Sequence, residues 1–223
     1  MTLDDAPRRE PASVRPEGES GSNPTALDRF RRSMDIIYEM WHDGIGYDLD
    51  ARGEATPDER SAIETQLLAR GASGWRDVEA LVAIGTDRAI DVVRSAGISG
   101  STGIRLAVTR IAPDLVSPQE RTETLVHALE TAMLFNGLSG AIDQAAEFHP
   151  PAVVDALLRG ARFREGEAAV HFAGLLLFIH GVTDEPFQWS DRTFVLRFHS
   201  TGEQRWTVFM ELCQKIGIDA SPF

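Results

Sequence analysis

Residues 166–181, GEAAVHFAGLLLFIHG, constrain the fold of this chain more than any other stretch. Between Glu167 and Asp184 there is no Asp, Glu, Lys or Arg, and the only ionisable groups are His171 and His180. At about 1.5 Å rise per residue, a helix of this length falls short of the ~30 Å hydrocarbon core of a bilayer. A helix apolar on almost every side must then be enclosed by protein. The remaining chain has to supply the helices that surround it.

Composition bounds the answer. The 223 residues, 43% hydrophobic and 25% charged, suit one soluble globular domain with a tail. A chain of this size buries roughly 70% of its unfolded surface, so neither a disulfide nor a metal is required to hold it. Cys213 is the single cysteine, which excludes an intramolecular disulfide and fits a reducing compartment. No apolar signal region follows the N-terminal charges, so a cytoplasmic protein is expected. The net charge of −12 repels phosphate backbones and argues against nucleic acid as a partner. More than half of that charge lies in residues 35–64, where nine acids face Arg52 and Arg60. Only Lys215 among the 22 basic residues is lysine, a bias from which no function is drawn.

Residues 1–25 are rich in Pro, Gly, Ser, Glu and Arg and read as a disordered tail. Leu27, Phe30, Met34, Ile37, Tyr38 and Trp41 share one face of a helix over 27–41, which Gly44 and Gly46 break. Thr56-Pro57-Asp58-Glu59 and Ser117-Pro118-Gln119-Glu120 are capping boxes with proline at the first helical position. They open helices to Arg70 and to about Phe135. Further helices are expected over 75–84, from Thr86 to Gly97, over 102–112, over 138–148, from Pro151 to near Gly160, over the opening stretch, and over 204–216. Phe194 to Phe198 is the best strand candidate in an otherwise helical pattern.

Helices of this length with short joints suggest antiparallel hairpins, and a repeat supports them. Gly103-Ile104-Arg105-Leu106-Ala107-Val108 aligns with Ala169-Val170-His171-Phe172-Ala173-Gly174, 66 residues on, and with Gly137 to Ile142 between them. The small residue opening each unit is expected where two helices approach closely. The pattern resembles the HEAT and HEAT-like (PBS-lyase-type) repeat family, whose second helices carry a branched apolar residue, an arginine, and an alanine two positions later. Ile104-Arg105-Leu106-Ala107 matches, with Thr102 in place of the family's acid, and His171 stands where the arginine would be. The resemblance covers roughly 56–181. It implies an all-α α-solenoid of about four antiparallel hairpins that presents a surface to partners, with no chemistry common to the family. The expected organisation is a tail over 1–25, a capping helix with an acidic Gly/aromatic loop over 26–55, repeats over 56–181, and an aromatic cap over 182–223.

Candidate sites are few. Asp48, Asp50, Gly53 and Glu59 fit positions 1, 3, 6 and 12 of a calcium loop, but Arg52 stands at position 5 and the capping box already explains Glu59. An acidic joining loop is the simpler reading. Trp41, His42, Asp43 and Tyr47 gather aromatics, a histidine and an acid beside Gly44 and Gly46; with Asp48 and Asp50 they form a candidate partner-binding region. The competing reading makes Trp41, Ile45 and Tyr47 a cover for the first hairpin. Trp189 and Trp206 lie in an aromatic-dense segment that either closes the stack or meets a partner. His171 and His180, nine positions apart, cannot share a helical face as ligands and read as packed histidines. There is no phosphate-binding loop, nucleophile elbow, dinucleotide fingerprint or zinc spacing, so no cofactor is called for. The reading is a non-catalytic protein-binding module, an immunity protein or adaptor engaging a partner with a basic surface. The alternative, a DNA glycosylase or bilin lyase of HEAT-like type, is disfavoured by acidity and by the missing catalytic set.

Overall fold

Two capping boxes decide where helices begin, and both form. In the computed structural model, which describes residues 23–35, 44–133, 137–186 and 191–223, Glu59 Oε2 accepts from Thr56 N–H at 2.9 Å while Thr56 Oγ1 accepts from Glu59 N–H at 3.3 Å. Ser117 and Glu120 repeat the exchange at 2.7 and 3.2 Å. Each box satisfies two of the amide donors that a helix start leaves orphaned. Both glutamates are held below the usual carboxylate range, first by the backbone N–H of the cap residue and then by its hydroxyl. A carboxylate with a lowered folded pKa stabilises the fold above its ordinary pKa, and that stability is lost as pH falls through the folded value. Thr56→Ala and Ser117→Ala should each lower stability by about 0.5–2 kcal/mol at pH 7, measured by urea unfolding, with a smaller difference near pH 3.

Every described element is helical. The helices are α1 (Ala26–Met34), α2 (Leu49–Glu54), α3 (Pro57–Arg70), α4 (Trp75–Ile84), α5 (Asp87–Ser99), α6 (Thr102–Ile111), α7 (Pro118–Thr131), α8 (Leu138–Glu147), α9 (Pro151–Phe163), α10 (Glu167–Ile179), α11 (Arg192–Leu196) and α12 (Gly202–Ile216). Neighbours in sequence pack on each other: α3 on α4, α5 on α6, α7 on α8, α9 on α10. Alternate helices also touch, α4 meeting α6, α6 meeting α8, α8 meeting α10, and α7 meeting α9. No helix among the described residues is long and apolar enough to cross a membrane.

The core lies in two clusters that meet at α6. Ala107 and Val108 join Phe30, Ile63, Leu67 and Leu81 on one side, while Leu106 joins Leu125, Leu129, Leu157 and Phe172 on the other. At the seam Thr109 Oγ1 donates to Gln144 Oε1 at 2.8 Å, and Gln144 Nε2 donates to Leu106 O at 3.0 Å. Both side chains are buried and partnered, so this polar bridge fixes α6 against α8 without leaving an orphaned group. α10 is enclosed as its composition requires. Nine of its residues, Ala168 to Phe172 without His171 and Ala173 to Leu177, are buried, and α8, α9, α11 and α12 surround it.

Several expectations are corrected. Phe194–Phe198 forms no strand; it is α11 followed by a 3-10 turn, Arg197–His199. Its apolar residues serve a helical face, Val195 and Phe198 being buried three positions apart. α1 ends at Met34, where Arg76 Nη2 donates to the Ser33 carbonyl at 2.5 Å; residues 36–41 of the helix expected over 27–41 lie outside the described residues. Residues 49–54, expected as loop, form α2 with Asp48 as its cap. α9 runs through Gly160 to Phe163, and that glycine packs directly against the Phe172 ring of α10 instead of ending the helix. Gly103 is the converse: a Cβ there would meet nothing within 4 Å, so it marks open surface instead of a helix crossing. The tail expected over 1–25 falls outside the described residues up to 22.

The arginines have a structural task that composition did not reveal. Arg52 donates to Ile84 O at 3.1 Å, Arg164 to Leu129 O and Ala132 O at 2.6 Å each, and Arg205 to Ala161 O at 3.0 Å. These carbonyls lie at the C-terminal ends of α4, α7 and α9, where acceptors are orphaned and the helix dipole favours a cation. A planar fork with five donors reaches two carbonyls at once, which an ammonium on a flexible stem does less well.

Candidate partner-binding groove

Those of the residues picked from the sequence that the structure describes do not gather in one exposed patch. Tyr47 is 7% exposed, its hydroxyl donating to Asp77 Oδ1 at 2.7 Å, its ring edge-on to Phe30 and under the Arg76 guanidinium at 4.3 Å. Burial, then Asp77, pushes its phenol up to about 12. Tyr47 is therefore part of the core. Asp48 caps α2 through Ala51 N–H at 2.9 Å and pairs with Arg29 at 3.1 Å. Arg29 also pairs with Glu54. Glu59 accepts from Leu27 N–H at 3.3 Å as well as from Thr56. Oxygens that a calcium ion would need at Asp48 and Glu59 are thus engaged, and residues 49–54 between them are helical. No group of three or more candidate metal ligands occurs among the described residues. Asp50 stays exposed in the first turn of α2. Trp41, His42, Asp43 and Trp189 lie outside the described residues.

Trp206 is half-buried, stacked on Phe209 at 5.8 Å and covered by the Arg162 guanidinium at 4.8 Å. His171 is half-buried, and His180 is exposed at the end of α10 instead of packed inside. Burial, then the neighbouring His149, holds the His180 imidazole below its usual pKa. Cys213 is buried, and burial followed by Asp219 pushes its thiol up to about 11, which leaves it an unreactive core residue.

A different surface is hollowed. On α4, α6 and α8, side by side, two adjoining depressions of about 250 and 550 Å³ share Trp75 and Arg110. The shared wall has Trp75 and Glu79 one helical turn apart on α4 and Arg110 near the end of α6, with Asp143 opposite on α8. The floor is open because Gly103 and Gly140 carry no side chain, and a Cβ at either would meet nothing within 4 Å. Below it, the Thr109–Gln144 bridge holds α6 and α8 in register. Arg110 forms no ion pair with a described residue, so its charge is presented outward beside the indole. An aromatic anchor, backbone exposed at glycines and charges of both signs suit recognition of a polypeptide segment.

Sequence reasoning passed over this groove. Gly103 was visible, but only as a small residue for a helix crossing, Gly140 only as part of the repeat unit that Gly137 opens, and Trp75 only as a helix start. What makes them a site is the lateral alignment of three helices, set by contacts tens of residues apart. Comparison of the chain with protein-family models, with curated proteins and with solved structures finds no match, so the functional argument rests on this geometry.

Proposed function

We propose that the chain is an α-solenoid of HEAT-like type, built from the hairpins α3/α4, α5/α6, α7/α8 and α9/α10, with α1–α2 and α11–α12 as caps. Its function is non-catalytic protein binding, in the manner of an immunity protein or adaptor. The pairing of sequence neighbours together with contacts between alternate helices supports the stack. The observation that carries the function is the Trp75 groove, which runs over the second helices of three successive hairpins. The partner carries a basic surface: a net charge of −12 steers such a protein into encounter, while the indole and the open glycine floor supply contact area.

The experiment uses the full chain, tagged, for capture from native cell extract at low salt, with Gly103→Trp and Gly140→Trp to fill the groove and Trp75→Ala to remove its anchor. Both glycine sites have room for a side chain, so the variants keep the wild-type unfolding transition. A stoichiometric partner lost at least ~10-fold by groove variants supports the reading, since an interface hot spot contributes about 2 kcal/mol or more. A partner captured equally by all three variants places the interface elsewhere and overturns it.

A further inference from the structure

A second hollow lies at the other end of the chain, where the loop after α9 meets the start of α12. Its volume is about 160 Å³, and Arg162, Arg205, Ser200, Thr201, Gly202 and Glu165 line it with Phe163 and Arg164. Arg164 is occupied, both its Nη groups donating to the carbonyls that end α7. Arg205 is 3% exposed; its Nη1 donates to Ala161 O and Arg164 O, while its Nε has no acceptor. Arg162 Nε is also buried without an acceptor, and its guanidinium lies 5.0 Å from the Phe163 ring centre and 4.8 Å from that of Trp206. Among the described residues, no carboxylate lies within ion-pair distance of Arg162, Arg164 or Arg205. In the same wall, Thr201 gives α12 no side-chain cap, so the first-turn N–H groups of a 15-residue helix lack a side-chain acceptor.

This is a costly arrangement for a chain with 34 acids to choose from. Buried cations are normally paired, because desolvating a charge without a partner is strongly unfavourable. Here burial, then the charge of Arg162, disfavours the charged form of Arg205, and Glu165 compensates only at longer range. Guanidinium groups, the first amides of α12 and the Thr201 hydroxyl border the hollow, the Ser200 hydroxyl donating to Arg197 O at 2.7 Å. Such a set suits a tetrahedral dianion better than a planar carboxylate.

We infer that the hollow between the α9–α10 loop and the α12 N-terminus binds a phosphate oxyanion, free or as a monoester, through Arg162, Arg205 and the first amides of α12. The ion supplies the counter-charge that the chain withholds. Glu165 sets the affinity from the rim by competing for the same guanidinium groups.

The test is calorimetric titration of the full chain with inorganic phosphate and, separately, with glycerol phosphate, at constant ionic strength and pH 7.5. Saturable one-to-one binding with Kd of about 0.1–1 mM is expected. Arg162→Gln, which removes a guanidinium that makes no hydrogen bond, should weaken it by ~10-fold or more, and Glu165→Gln should tighten it several-fold. Tighter binding of the monoester identifies a phosphorylated ligand, and equal or weaker binding identifies free phosphate. The inference is overturned if neither ligand gives saturable heat, or if acetate matches phosphate. It is also overturned if Arg162→Gln, with an unchanged unfolding midpoint, binds as the wild type does. A Glu165→Gln variant that binds more weakly would assign Glu165 to holding the arginines and defeat the stated role of the rim.

Discussion

Replacing Gly160 by alanine is expected to destabilise the protein by about 1–3 kcal/mol, although alanine is the better helix former. A Cβ at residue 160 would stand 2.3 Å from both Cδ2 and Cε2 of Phe172, far inside van der Waals contact. Neither side can yield cheaply. Gly160 is buried within α9, and Phe172 is fully buried in α10, nine of whose residues are buried. Relief would require the two helices to separate or the ring to leave its rotamer, and a close-packed interior resists both. The gain in helix propensity, about 1 kcal/mol, offsets only part of this. Gly140→Ala is the matched control, since nothing lies within 4 Å of its Cβ, and it should be neutral or stabilising by up to about 1 kcal/mol. Urea unfolding of both variants gives the comparison. Gly160→Ala combined with Phe172→Leu should recover part of the loss, and strict additivity of the two changes would show that they do not touch.

Asp77→Ala should cost about 1–3 kcal/mol, the usual consequence of leaving buried donors without their acceptor. The Asp77 side chain is 2% exposed. It accepts from Tyr47 Oη at 2.7 Å, Ser73 N–H at 3.1 Å and Ser73 Oγ at 2.6 Å, and pairs with the Arg70 guanidinium at 2.9 Å. Its loss strands a buried phenol and leaves Arg76, which donates to Gly46 O at 3.0 Å, to hold the segment carrying Gly46 and Tyr47 on α4. The measurable signature is spectroscopic as well as thermodynamic. A phenol whose folded pKa is raised to about 12 stays neutral in the folded state while the unfolded chain ionises near 10. Stability therefore falls as pH rises from about 10 to about 12. Ultraviolet titration of Asp77→Asn should show Tyr47 ionising at lower pH than in the wild type, because Asp77 is the second cause of the shift. An unchanged titration would mean that burial alone sets it.

Both predictions concern residues whose sequence reading was incomplete. Tyr47 was a reasonable partner anchor by type, since tyrosine is enriched at interfaces and two glycines flank it. Only the arrival of Asp77 and Arg76, 30 and 29 residues away, turns it into a core residue. Asp48 and Glu59 fitted a metal loop by spacing, yet local hydrogen bonds and Arg29 take their oxygens. The aromatic crowding before α12 was legible, whereas the unpaired arginines beside it were not, because pairing depends on which carboxylates the fold brings near.

The two capping-box helix starts, the predominantly helical class and the enclosure of residues 166–181 were determined by sequence alone. Each follows from local chemistry within one or two turns: a hydroxyl and a carboxylate three residues apart, a proline at the first helical position, sixteen residues with scarcely a polar side chain. Tertiary structure alone decided which glycines are pressed against a neighbour and which lie open, which helix ends the arginines cap, and where the grooves run. Those outcomes depend on surfaces meeting across 30 to 60 residues of chain, and no local pattern records which surfaces will meet.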